Sequence, residues 1–108
     1  SNIESIIVQG HTDSQSFAGI KNPDEQYLRN MTLSLERANS VANYIFRTNY
    51  NKKYSNKLKE ILVVEGKSYS EPIIVDGKED YAKSRRVELR IKAKSLDILD
   101  SLFKKDKK

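Results

Sequence analysis

Apolar residues fall along this chain in three kinds of run. Ile3, Ile6, Ile7 and Val8 form the first, and Gly10 closes it. The unbroken Ile6-Ile7-Val8 predicts a strand over Ile3–Gly10 that is buried on both faces. Ile61–Gly66, "ILVVEG", repeats the same grammar: an apolar run, an acid or amide, then Gly. Val87, Leu89 and Ile91 instead alternate with Arg86, Glu88, Arg90 and Lys92, the period of a half-exposed strand. Between the first two strands, Leu33, Ala38, Val41, Ala42 and Ile45 recur at helical spacing. They predict a helix over Asn30–Tyr50, with Asn30 as its N-cap. Arg37 stands inside that apolar stripe, where a charge needs a partner.

The stretches between are polar. His11–Arg29 reads as a long connector, with Gly19 and Asn22-Pro23 as turn signals, and connectors of that length are usually functional or disordered. Tyr50–Lys59 reads as a basic loop and Ser70–Asp80 as a loop holding Pro72 and Asp76-Gly77. Tyr81–Arg85 has room for one helical turn, and Ser95 is placed to cap a last helix bearing Leu96, Ile98, Leu99, Leu102 and Phe103. The order strand, helix, strand, strand, helix predicts an α/β sandwich. The first two strands would lie parallel across a helical crossover, the last antiparallel, and helices would cover one face of the sheet. One domain over residues 1–94 is expected, followed by a C-terminal helix and basic tail over residues 95–108.

Composition narrows the function. The net charge is +5 over 108 residues, but Lys92–Lys108 alone holds six Lys against three Asp, a net of +3. The basic excess is largely that tail, and with no Trp and no basic strand interleaved with aromatics a nucleic-acid partner is not expected. The chain has no Cys, which removes disulfides, thiolate metal sites and thiol nucleophiles. His11 is the only His, so a metal centre lacks ligands, and no nucleophile elbow accompanies it. Its expected role is structural, bonding loop backbone beside a site. No apolar run approaches the ~20 residues of a membrane span.

Three stretches taken together resemble the OmpA-like (OmpA/MotB C-terminal) peptidoglycan-binding domain family. They are "VQGHTDS" at Val8–Ser14, "NMTLSLERANSVANYI" at Asn30–Ile45 and "YAKSRRVELRI" at Tyr81–Ile91. The family pattern is a strand ending Gly-His-Thr-Asp, a helix opening Asn-x-x-Leu-Ser-x-x-Arg-Ala-x-x-Val, and a final strand opening Asn-Arg-Arg-Val-Glu. "VVEGKSYSEPI" at Val63–Ile73 matches the family's third strand, Gly and following Pro. The resemblance runs from about Ile3 to Ala93. Two features depart from the pattern: Ser84 stands where the family has Asn, and the family's first strand–helix unit has no counterpart here.

The resemblance implies a mixed parallel and antiparallel sheet, no enzymatic activity, no cofactor, and non-covalent binding of peptidoglycan at the diaminopimelate of the peptide stem. Asp13 would take the ammonium, where the bland reading is a turn-capping Asp. Arg37 would take a carboxylate, where the bland reading is an Arg extending along the helix edge. Asn30 and Thr12 would orient the ligand, and Leu33 and Ser34 would form pocket wall. Strand alternation puts Arg85 on the helix-covered face with Val87, and so at the pocket, while Arg86 should face solvent with Glu88. A periplasmic location follows, in a parent protein joined to the membrane only through a tether outside this chain. The alternative is an interaction module on the same fold, pairing with another protein or as a homodimer.

Overall fold

The computed structural model describes residues 3–15, 17–48 and 54–94. Strand β1 (Ile3–His11) leads into helix α1 (Pro23–Arg47). Helix α2 (Ser55–Ile61) runs directly into strand β2 (Leu62–Gly66). A hairpin of β3 (Ile74–Val75) and β4 (Lys78–Glu79) follows, then the single turn α3 (Tyr81–Ser84) and strand β5 (Arg86–Ala93). The sheet order is β2-β1-β5, with β1 parallel to β2 and antiparallel to β5. The fold is therefore the expected mixed α/β arrangement, with α1 lying on one face of a mixed sheet.

Four local expectations change. The crossover helix starts well before Asn30, because Asn22, read as a turn signal, is its N-cap. The Asn22 side chain accepts from the amides of Asp24 (2.8 Å) and Glu25 (3.2 Å). Pro23 fits the first helical position, and Asp24 and Glu25 suit the positive helix end. The early turns carry no apolar stripe, so periodicity could not show them. The connector shrinks to residues 12–22. Residues 55–61, read as loop, form α2, and its Ile61 is buried. Asp76 and Gly77 have φ of 52° and 79°, the left-handed pair of a tight hairpin turn, and this is what joins β3 to β4. Finally, β2 is not buried on both sides: Val63 is 40% exposed.

The core is small. Val8, Ala38 and Ala42 are buried at its centre, and Val41, Ile45, Leu62, Val64 and Val87 pack around them. The buried line of α1 is Gln26, Asn30, Ser34, Ala38 and Ala42, a four-residue spacing of polar and small side chains. Small residues let the helix backbone come close to the sheet. Closest approach falls where Gly10 of β1 lies in register with Gly66 of β2. A methyl group on Gly10 would sit 2.0 Å from the Ser34 carbonyl oxygen, and one on Gly66 2.6 Å from Leu35 Cγ. Away from this contact α1 leaves β5 uncovered: Leu89 is 58% and Ile91 67% exposed on the helix-facing side. The helix expected over Ser95–Phe103, and the domain boundary after Lys94, lie outside the described residues.

Gly10→Ala should therefore destabilise the domain by roughly 3 kcal/mol, since backbone rather than a flexible side chain blocks the new atom. Gly77→Ala meets nothing within 4 Å. It should cost only the ~1 kcal/mol of its left-handed conformation. Urea unfolding of both variants beside the parent checks the ranking.

Candidate functional site

At the carboxyl end of β1 the chain turns into residues 12–15, the place where open α/β sheets hold ligands. Here Thr12, Asp13, Gln15, Phe17, Asn30, Leu33, Arg37 and Arg85 line a pocket of about 170 Å³. Six of the expected site residues meet there: Asp13, Arg37, Asn30, Thr12, Arg85 and Leu33. They come from three elements far apart in sequence.

Asp13 is buried, and both its oxygens are engaged. Oδ1 accepts from the Gln15 amide at 2.9 Å, and Oδ2 accepts from Arg85 Nη1. Asn30 is an interior helical residue rather than the cap; it is buried and donates from Nδ2 to the Gln26 carbonyl at 2.9 Å. Arg37 is half-buried and makes no hydrogen bond or ion pair among the described residues. Thr12 Oγ1 is buried without a hydrogen-bond partner. An unpartnered buried hydroxyl is uncommon and calls for an explanation. Here it lies on the wall of the pocket.

Ser34 does not line the pocket. It is fully buried against the sheet because it faces Gly10 and Gly66. Its hydroxyl donates to the Met31 carbonyl (2.8 Å) and accepts from the Ser68 amide (3.1 Å). Ser68 in turn accepts from the Thr12 amide at 2.9 Å. Ser34 thus fixes the height of Thr12 without touching the pocket.

Other supports were not legible as site residues. Gln26 grips the connector, accepting from the Phe17 amide (2.8 Å) and donating to the Phe17 carbonyl (3.0 Å), which sets Phe17 in the pocket wall. Glu79 of the hairpin accepts from the Ser14 amide (3.1 Å) and hydroxyl (2.6 Å). The signal for Gln26 was the spacing of four that joins it to Asn30, Ser34, Ala38 and Ala42. For Glu79 the sequence held none.

His11 faces away from the pocket. Gln9 Nε2 donates to Glu65 Oε1 at 2.8 Å, so Gln9 Oε1 is an acceptor, and His11 Nε2 donates to it at 2.9 Å. Its partner is this side chain and not loop backbone. Burial first, then the Arg86 guanidinium, push the His11 pKa below its ordinary value. Arg86 is not in solvent either. It pairs with Glu88 and donates to the Glu71 and Ser84 carbonyls at 3.2 Å, because residues 67–85 fold over this side of the sheet. The Arg86 hydrogen bond also holds the Glu88 pKa low. Ser84, the departure from the family pattern, is buried and accepts from the Ile73 amide at 3.0 Å, tying the hairpin to the start of β5.

The pH response follows. The unfolded chain binds a proton on His11 that the folded chain resists, so stability should fall as pH drops below the ordinary His value of about 6.5. Glu88 is stabilised as the anion, so a second loss should begin below about 4.3. His11→Gln should flatten the first limb and leave the second, in thermal melts taken across pH.

No protein-family model matches the chain. Over 90 residues it is 33% identical to "Zorya protein ZorB" of Escherichia coli, a stretch covering 82% of this chain and 38% of that protein. The chain thus spans less than half the length of this curated relative. In motifs and fold the chain resembles an OmpA/MotB-like domain, and in sequence it is similar to part of ZorB.

Proposed function

We propose that this chain is an OmpA/MotB-like domain that binds peptidoglycan non-covalently and holds a larger envelope protein to the cell wall. The observation that supports this most is the pocket at the end of β1. It brings together a buried carboxylate, Asp13, and, without partners among the described residues, the half-buried guanidinium of Arg37 and the Thr12 hydroxyl. That arrangement matches the charges of an amino acid. The ammonium of diaminopimelate goes to Asp13 and its carboxylate to Arg37, whose planar fork suits a carboxylate. Asn30 and Thr12 set the orientation, and Leu33 and Phe17 contact the methylenes. The volume suits one residue's end and not a drug-sized ligand. The reaction is binding alone: among the pocket-lining residues no nucleophile is paired with a base.

The wall location places the domain on the periplasmic side of the envelope, tethered through parts of the parent protein outside this chain. None of the described helices is long and apolar enough to cross a membrane. A second reading, an interaction module, rests on the exposed Leu89 and Ile91 beside the edge of β5, which pairs with no further strand among the described residues.

Sedimentation with insoluble sacculi tests the wall reading. Asp13→Ala and Arg37→Ala should each lower retention at least tenfold, because losing one partner of a desolvated charge pair costs ~2–5 kcal/mol. Lys78→Ala, exposed on the hairpin, should bind as the parent does. EDTA should change nothing. Retention of both site variants at the parental level would refute the assignment, and retention abolished by EDTA would point to a metal instead.

A further inference from the structure

The pocket shares Arg37 and Arg85 with a neighbouring groove. The same two residues, with Ser40, Val41, Arg86 and Val87, line this groove of about 480 Å³ between α1 and β5. Arg86 contributes no free charge there, since its guanidinium is held by Glu88 and two carbonyl oxygens. Among the described residues no carboxylate lines the groove. Pocket and groove together thus carry Arg37 and Arg85 against Asp13, one positive charge in excess. A ligand with one ammonium and one carboxylate leaves that excess in place. A ligand with one ammonium and two carboxylates removes it.

The second fact is what Arg85 does now. Its Nη1 donates to Asp13 Oδ2, while Oδ1 takes the Gln15 amide, so an ammonium that comes to this carboxylate meets a cation already paired with it. Its side chain is 44% exposed against 10% for Asp13, so the guanidinium end of the pair is open to solvent and can leave the carboxylate without being buried elsewhere. Arg85 follows α3 in extended conformation, two residues before Val87, which also lines the groove. Leaving Asp13, its side chain has the groove beside it.

We propose that the groove is a second subsite, in which Arg85, displaced from Asp13 by the ligand's ammonium, binds a second carboxylate of the same peptide. This rests on the wall-peptide reading above and adds to it that the domain selects a stem whose neighbouring carboxylate is free rather than amidated. Val41 and Val87 contact the intervening methylenes. Arg85 is thus a specificity-determining residue as well as a partner of Asp13.

Calorimetric titration of the intact chain tests this with two probes. One is N-acetyl-γ-D-glutamyl-meso-diaminopimelate with the L-centre carboxylate of the diaminopimelate amidated, which carries one ammonium and two carboxylates; the other is the same compound with the glutamyl α-carboxylate amidated as well. The parent should prefer the free acid by about tenfold, the worth of one hydrogen-bonded charge pair. Arg85→Gln should bind the two probes alike, and the amidated one at least as tightly as the parent does, because Asp13 is no longer occupied. Arg85→Lys, which keeps the charge, should keep part of the preference. Equal binding of both probes by the parent overturns the second subsite and leaves the wall reading intact. So does an equal loss of both probes in Arg85→Gln, which would make Arg85 a brace for Asp13 only. Binding of neither probe to the parent overturns the wall-peptide reading, and this one with it.

Discussion

Helix α1 stands closer to the sheet at Ser34 than any strand side chain would allow, and the rest of the domain is arranged around that contact. Two glycines in register, Gly10 and Gly66, make it. Packed interiors do not yield by fractions of an ångström without cost, so the contact fixes the helix in height and in rotation. Rotation matters most. With Ser34 turned onto the glycines, Asn30 lies one turn before it and Arg37 just under one turn after it, both at the carboxyl end of β1. The Ser34 hydroxyl then passes the constraint on through Ser68 to the Thr12 amide. A glycine pair that touches no ligand thereby sets the distance across the site.

The same logic explains why Gly, His, Thr and Asp stand side by side. They serve different jobs, divided by strand alternation and by the end of the strand. Gly10 admits the helix. His11 points to the far face and joins a polar layer of Gln9, Glu65, Arg86 and Glu88, which replaces the apolar covering that face would otherwise need. Thr12 and Asp13 lie past the point where β2 stops at Gly66, so they face the pocket. A His beside an Asp here is no catalytic pair, because the backbone sends the two side chains to different environments.

Much of this was legible because it rests on short patterns with hard physical causes. Apolar runs ending in Gly gave β1 and β2, alternation gave β5 and the side taken by Arg85, and the stripe through Ala38, Val41, Ala42 and Ile45 gave α1. What stayed hidden had weak local signals. The first turns of α1 are polar, and their helicity comes from a cap, a proline and a charge arrangement at Asn22–Glu25. Helix α2 is short and basic and shows only Ile61 as a buried residue. Ser34 was misplaced because a Ser between apolar positions reads equally well as wall or as core. Only the glycines opposite decide, and they lie on other elements. Arg86 was misplaced because alternation says which face a side chain takes but not whether a loop folds over that face.

Satisfaction of polar groups separates the pocket from its surroundings. The far-face layer is densely paired: Gln9, Glu65, Arg86, Glu88 and Arg90 all have partners. So does the support of the connector, through Gln26 and Glu79. At the pocket the pairing stops. Arg37 has no partner among the described residues, Thr12 Oγ1 has none, and Asp13 shares its charge with an arginine half in water. Leaving these groups unpaired costs stability, and the paired network around them is what holds them in place regardless. His11 Nδ1 is also unpartnered, but His11 is not among the residues lining this pocket, and burial there disfavours protonation of the ring. The groups left open at Thr12, Asp13 and Arg37 share one cavity and form one chemical complement: an acceptor, a hydroxyl and a cation. A ligand that supplies the matching ammonium and carboxylates completes the polar pairing that the chain by itself leaves unfinished.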